Sequence, residues 1–468
     1  MKEGMLSGAF LLSITKMMKL PHSILLCLAI CVVFPLCGNA QKQSKPTKLR
    51  YQNIGYVPSG FPVGFALTTC GNRQYVAFYD STHAITVACR SLNSQKWDFQ
   101  KLDSKVAWDS HNYLSLAIDK LGYIHLSGNM HSGPLIYFKS SEPFNIHSLK
   151  KLNSMLGKEE DVTTYPEFMT DPKGELIFHY RYGRSGSGYE VYNILNTNTQ
   201  QWNRLLNKPL TDGRSLRNAY MQGPVLGKDG YYHLIWVWRD SPDCSTNHSL
   251  SYARSKDLLH WESVRGEKVE LPITIDYPQL VVDSAPVKGG LINIGIKIGF
   301  DSQNRLLIGY HKYDEKGNTQ LFITRFEQGK WISKQLSHWN YRWDFKGMGT
   351  IVNEILIESP RASAKAGELV FGFHHNAKYG NGQVIINEKT LEPIAIEEFE
   401  AGYPKELDNV QSTFPGMLVN TAFDKGKSPD GTQYLLRWET LSPNRDEKRE
   451  GVLPPASRLQ LYELKKKK

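Results

Sequence analysis

Cysteine, long apolar runs and helical periodicity are all scarce in this chain, and each shortage removes a class of protein. Of the six cysteines in 468 residues, Cys27, Cys31 and Cys37 lie in an N-terminal apolar stretch, which leaves Cys70, Cys89 and Cys244. So few cannot build a disulfide framework, and an odd number in an exported chain leaves at least one thiol unpaired. Cys70 and Cys89 are close enough in sequence to bridge, or to stay two buried thiols. The apolar run SILLCLAICVVF is too short to span a membrane comfortably. A lysine before it and Gly38-Asn39-Ala40 after it give the pattern of a secretory signal peptide over residues 1–40. Met17 or Met18 then fits as the true start, and the mature chain runs from about Gln41. Bulky Leu36 argues against lipid attachment at Cys37. The expected location is secreted or periplasmic, with surface association left open.

Acidic charge is also in deficit. The net charge is +10, and residues 1–40 carry three basic and one acidic residue, so the mature value is +8. Half of that is Lys465 to Lys468, which reads as a solvated end. The remainder suits an anionic polysaccharide or oligosaccharide, and nothing resembles a nucleic-acid motif.

What the chain does contain is one phrase repeated seven times. An apolar strand enters a Gly/Asp/Asn turn and a strand rich in aromatic and β-branched residues leaves it. The turns are Gly71-Asn72, Asp119 to Gly122, Asp171 to Gly174, Asp229-Gly230, Asp301 to Asn304, Ala366-Gly367 and Asp430-Gly431. Their first residues are 48 to 72 positions apart, room for one four-stranded unit each. A sheet-sized period without clear helices between the hairpins predicts an all-β, seven-bladed β-propeller, with residues 41–468 as one domain and a monomer.

Hairpin geometry then locates chemistry. The two strands flanking a tight turn have their far ends side by side, so His111 and His131 share one end of the second hairpin. Tyr165 and Arg181 share the corresponding end of the third, and Tyr220 and Trp238-Arg239 that of the fourth. Rotation about a common axis predicts that these ends fall on one face. Elimination across a 4-linked uronic acid needs such a set. Something must neutralise the C6 carboxylate, a base must take the C5 proton, and an acid must protonate the departing O4. Arg181 has the planar fork that matches a carboxylate, His titrates near neutrality, and a Tyr beside an Arg becomes more acidic. Taken singly, each residue is more simply a packed side chain or a surface ion pair.

With these residues in view, the chain resembles the BNR-repeat propellers that include ulvan lyases and related lyases of rhamnose–uronic acid linkages. The resemblance is carried by SHNYLSLAIDKLGYIHLSGNMHSGPL, TYPEFMTDPKGELIFHYRYGRSGSG, WRDSPDCSTNHSLSYARSKDLLHWES and YHKYDEKGNTQLF. It implies that His111 transfers the proton with Tyr165 as its partner, that His131 and Arg181 neutralise the carboxylate, and that Tyr220 and Asn129 contact substrate. No cofactor is needed for such chemistry. Some relatives hold a structural metal, for which Cys244, His248 and His311 are the candidate ligands, although Cys-x₃-His with one distant His is a weak zinc signal. His374 and His375 fit either a funnel lining or the core. Two rival functions remain. A sialidase would share the fold, but its Asp-box survives only as echoes such as Ser255-Lys256-Asp257 before Trp261. A non-catalytic glycan-binding propeller would keep the fold and the aromatic funnel.

Overall fold

Each of the seven turns joins two antiparallel strands, and the turn residues explain why. At Asp119 one carboxylate oxygen accepts the amides of Leu121 (2.9 Å) and Tyr123 (2.8 Å). Asp301 does the same for Gln303 (3.0 Å) and Arg305 (2.8 Å). The aspartate thus replaces the hydrogen bonds that a tight turn leaves unmade. Gly122, at φ +89°, supplies the left-handed residue such a turn needs. The computed structural model describes residues 49–464. The signal-peptide reading and the lysine tail lie outside the described residues.

The strands are all but continuous antiparallel meanders. Ala66–Cys70, Arg73–Tyr79, Ala84–Ser91 and Asp98–Lys105 form one four-stranded sheet in chain order. Leu114–Ile118, Ile124–Gly128, Tyr137–Ser140 and Leu149–Leu152 form the next. Thr163–Thr170, Leu176–Arg184, Ser187–Asn196 and Gln201–Arg204 follow, with the short strand His131–Gly133 added at the inner edge. Asn218–Leu226, Tyr232–Arg239 and Asn247–Ser255 lead a fourth sheet. In the last sheet Met417–Phe423, Gln433–Leu441 and Ser457–Leu464 are joined by Arg50–Val57 from the start of the chain. The first described strand therefore pairs with the last, which places Ser457–Leu464 inside the sheet and Arg50–Val57 at its edge.

The described strands form six sheets where one per turn would give seven. The turns at Asp301 and Gly367 lie in a single nine-stranded sheet. Its halves meet through one parallel pair, Phe300 with Arg361. Gly299 allows the approach, because a Cβ there would stand 1.8 Å from the Pro360 carbonyl oxygen.

The core lies between neighbouring sheets, so inner strands are buried on both sides. Tyr232–Arg239 (YHLIWVWR) is buried at every position. Pro393–Glu398 (PIAIEE) is exposed at every position, and its proline and paired glutamates suit a solvent edge. Buried polar groups repeat too. His125 Nδ1 lies 2.7 Å from the Tyr137 hydroxyl, and His233 Nδ1 lies 2.9 Å from that of Tyr252. These histidines tie strand to strand and serve the frame. Among the described residues no helix is long and apolar enough to cross a membrane.

Gly299→Ala tests the fused sheet. The added methyl meets backbone rather than a flexible side chain, so thermal unfolding is expected to show a loss of about 2 kcal/mol or more. An unchanged melting temperature would show that the two halves separate without cost.

Candidate active site

Three breaks in regular strand geometry aim side chains at one another. After Ile124–Gly128 the chain passes through Gly128 (φ +155°) and Asn129 (φ +61°), with Ser132 at φ +54°. It thereby leaves its own hairpin, and His131 pairs with Thr164 of the next sheet. In that partner strand the register shifts between Thr164 and Glu167, and Tyr165 takes φ +58°. A non-glycine residue held there costs about 1–3 kcal/mol, and the bulge turns the Tyr165 ring away from its strand neighbours. His111 lies on the loop between Asp98–Lys105 and Leu114–Ile118, anchored where the Tyr79 hydroxyl donates to the Asn112 carbonyl (2.5 Å). The result is a cluster. The His111 and His131 ring centroids are 4.1 Å apart, and Tyr165 lies 5.9 Å from the first and 6.5 Å from the second.

Carboxylates absent from the sequence argument hold the pair. Asp109 presents Oδ1 to His111 Nδ1 at 2.8 Å and Oδ2 to His131 Nδ1 at 2.6 Å. Asp446, from the loop after Gln433–Leu441, reaches His111 Nδ1 at 3.2 Å. Thr350 Oγ1 lies 3.2 Å from the same nitrogen. Burial alone would lower the His111 pKa, but an ionised Tyr165, Asp109 and Asp446 outweigh it and push it up to about 11. These charges favour the protonated form of the His111 ring. Burial works against ionisation of Asp109 as well, yet its hydrogen bonds to both histidines hold it well below the usual carboxylate range. The two imidazoles keep about a fifth of their surface in solvent, 20% and 23%.

Arg181 reaches the cluster from beneath. Its Cζ lies 4.9 Å from the Tyr165 ring centroid, while Nη1 donates to the Tyr220 hydroxyl (3.2 Å) and Nη2 to Thr164 Oγ1 (3.0 Å). The side chain is 0% exposed, and Nε has no partner. This corrects the expectation that the Arg181 fork opens onto the mouth, because its two terminal nitrogens are engaged and the tyrosines cover it. Tyr220 is likewise only 4% exposed and lies below the surface. The guanidinium of Arg239 stacks 3.8 Å over the Tyr220 ring, tied to Asn247 (2.9 Å) and Asn293 (2.7 Å). Burial opposes ionisation of Tyr220, but Arg239, Arg181 and the Ser185 hydroxyl at 2.6 Å bring its pKa below the ordinary value. Among the described residues neither arginine has a carboxylate partner. Glu190, opposite Arg181 in register, is pushed up to about 7 by burial, with Arg181 pulling it down and Glu167 raising it. Asn129 commits its amide nitrogen to Ser104 and the Lys105 carbonyl, which leaves its oxygen as the group that can face a ligand.

The other candidates do not assemble. Cys70, Cys89 and Cys244 are free thiols, so the first two do not bridge. His248 is occupied by Ser249 and Asp240, and His311 Nδ1 by the Gly290 carbonyl. His311 Nε2 is buried without a partner, and among the described residues the group with metal-ligand spacing is Asp109, His111, His131 and Asp446 rather than Cys244, His248 and His311. His375 is buried among Trp339, Tyr341 and Tyr379, a core position, while His374 faces Glu358 at 3.4 Å. A separate cavity of about 360 Å³, lined by residues including Asp314, His338 and Trp339, shares no residue with the cluster.

The stack on Tyr220 predicts a spectroscopic effect. Arg239→Gln removes one of two cations, so the ionisation of one tyrosine, followed by tyrosinate absorbance, is expected to move to higher pH. An unaltered titration would mean that Arg239 only packs.

No curated protein of similar sequence matches the chain. Among solved structures, that of polysaccharide lyase Uly1 aligns with a TM-score of 0.56 at 14% identity, covering 90% of this chain and 100% of that one. A PL25 ulvan lyase bound to -[GlcA(1-4)Rha3S]- aligns with a TM-score of 0.57, also at 14% identity, covering 89% and 96%. At that identity the likeness is one of fold. The model of the BNR repeat-containing family matches residues 73–339, more than half of the sequence, and the chain belongs to that family.

Proposed function

We propose that this chain is a secreted or periplasmic polysaccharide lyase that cleaves a 4-linked uronic acid by β-elimination, in a glycan of the rhamnose–glucuronate or rhamnose–iduronate type. The observation that carries the reading is the solvent-open cluster of His111, His131 and Tyr165 lying directly over the buried charge of Arg181. Support comes also from the fold shared with a lyase whose bound ligand contains a GlcA(1-4)Rha3S linkage.

In this reading Tyr165, acting as its phenolate, takes the C5 proton and becomes the neutral phenol, and the electron pair of that C–H bond forms the C4=C5 double bond as C4–O4 breaks. His111, already protonated, gives its proton to O4. His131 stands beside the C6 carboxylate. Arg181 acts through the tyrosine rings as a fixed positive charge beneath the developing enolate, in a setting where water does not screen it. Asn129 offers its amide oxygen to a hydroxyl. The chemistry requires no cofactor. We further propose a signal peptide over residues 1–40 and one domain over 41–468, monomeric, in which the seven turn-linked units are seven blades.

The test is incubation of the purified chain with a panel of uronic-acid polysaccharides, followed by ultraviolet absorbance. Elimination leaves an unsaturated uronate that absorbs, a hydrolase would release reducing ends without absorbance, and a binder would show affinity alone. His111→Ala and Tyr165→Phe are each expected to lower turnover by ~10²-fold or more with the fold retained. Rates within a few-fold of the parent would return both residues to packing. A polymer whose carboxylates are reduced to alcohols is expected to be inert, and its efficient cleavage would rule out elimination.

A further inference from the structure

We propose that Asp109, His111, His131 and Asp446 form a binding site for one divalent transition-metal ion of the zinc class, and that the bound ion holds the lyase inactive. The second half rests on the function proposed above, whereas the first rests on geometry alone. One atom from each of the four side chains lies within 4.8 Å of the others. The closest approaches are 2.6 Å, 2.8 Å and 3.2 Å, from His131 to Asp109, His111 to Asp109 and His111 to Asp446. Neighbouring donors in a tetrahedral shell with bonds of about 2.0–2.1 Å are separated by a little over 3 Å, so small rotations suffice to close around an ion.

Donor type and charge point the same way. Two imidazole nitrogens and two carboxylate oxygens suit borderline ions such as zinc, while magnesium and calcium favour oxygen ligands in greater number. Two carboxylates and two neutral imidazoles around a divalent ion sum to zero charge. Without the ion, the same cluster is neutral only when both rings carry an extra proton.

The carboxylates are also oriented in advance. The His111 amide donates to Asp109 Oδ1 (2.8 Å), the Ser110 amide to Asp446 Oδ1 (3.2 Å) and the Thr350 amide to Asp446 Oδ2 (2.8 Å). Backbone donors of this kind hold ligating carboxylates in place, and such supports strengthen metal binding. All four side chains remain partly solvent-exposed, so an ion has a path in. An ion on Nδ1 makes His111 a neutral ligand with no spare proton for O4. It also fixes His131 away from the uronate carboxylate. The occupied site therefore cannot run the elimination.

The experiment titrates chelator-treated full-length protein with zinc chloride by calorimetry, and with cobalt chloride by visible absorbance. One ion per chain is expected, with the intense visible bands of a four-coordinate cobalt site. His131→Ala and Asp446→Asn, each checked for parent-like circular dichroism, are expected to bind at least ~10-fold more weakly. In parallel, zinc is expected to suppress the ultraviolet signal of cleavage with the same midpoint as binding, and chelator to restore it. Absence of saturable binding to the parent, or parent-like affinity in both variants, would overturn the site. Saturable binding with undiminished turnover would overturn its inhibitory role. Binding by a protein that cleaves no polymer in the panel would leave the metal site standing and remove the lyase reading.

Discussion

The cluster depends on one carboxylate shared between two rings. Imidazoles stacked 4.1 Å apart repel once both gain a second proton, and nothing in a β-strand frame holds them together. Asp109 does so, with one oxygen on each Nδ1 and the His111 amide on the first of them. This fixes which nitrogen of each ring is engaged by the carboxylate. Asp446 and Thr350 brace the arrangement from loops that follow the turns at Asp430 and Asp301. Residues more than 300 positions apart in sequence thus determine the charge of one histidine.

Much of the frame was legible because its rules are local. An aspartate whose side chain accepts the amides two and four residues on, as at Asp119 and Asp301, marks a turn wherever it recurs. Tight turns bring strand ends together, so His111 and His131, or Tyr165 and Arg181, could be paired from spacing alone. The sharing of one sheet by the turns at Asp301 and Gly367 was not legible. It depends on how closely Gly299 passes Pro360, a contact without a sequence pattern.

The site was less legible for a related reason. Side chains alternate faces along a strand, so one extra residue reverses which of them look outward. The bulge between Thr164 and Glu167 does this at Tyr165, lifting the ring into the cluster while Arg181 stays beneath it. Pro166 in TYPEF is a sign of a bulge, since a proline cannot donate to the ladder, but it does not show which way the neighbouring side chains turn, and Arg181 was expected at the surface. Asp109 sits two residues before His111 in WDSH but carried no pattern of its own, and Asp446 acts across the whole fold. Arg239 was visible at the end of YHLIWVWR, although its role against Tyr220 needs the stack to be seen. His125 and His233 show the reverse problem: residues of catalytic type that serve only the frame.

The central claim is that this cluster breaks C4–O4 without adding water. Mass spectrometry of the fragments from a defined rhamnose–uronate oligosaccharide tests it most directly. Elimination predicts a new non-reducing-end uronate lighter by one water than its hydrolytic counterpart, formed by the parent and lost in Tyr165→Phe. A fragment at the full hydrolytic mass would contradict the account.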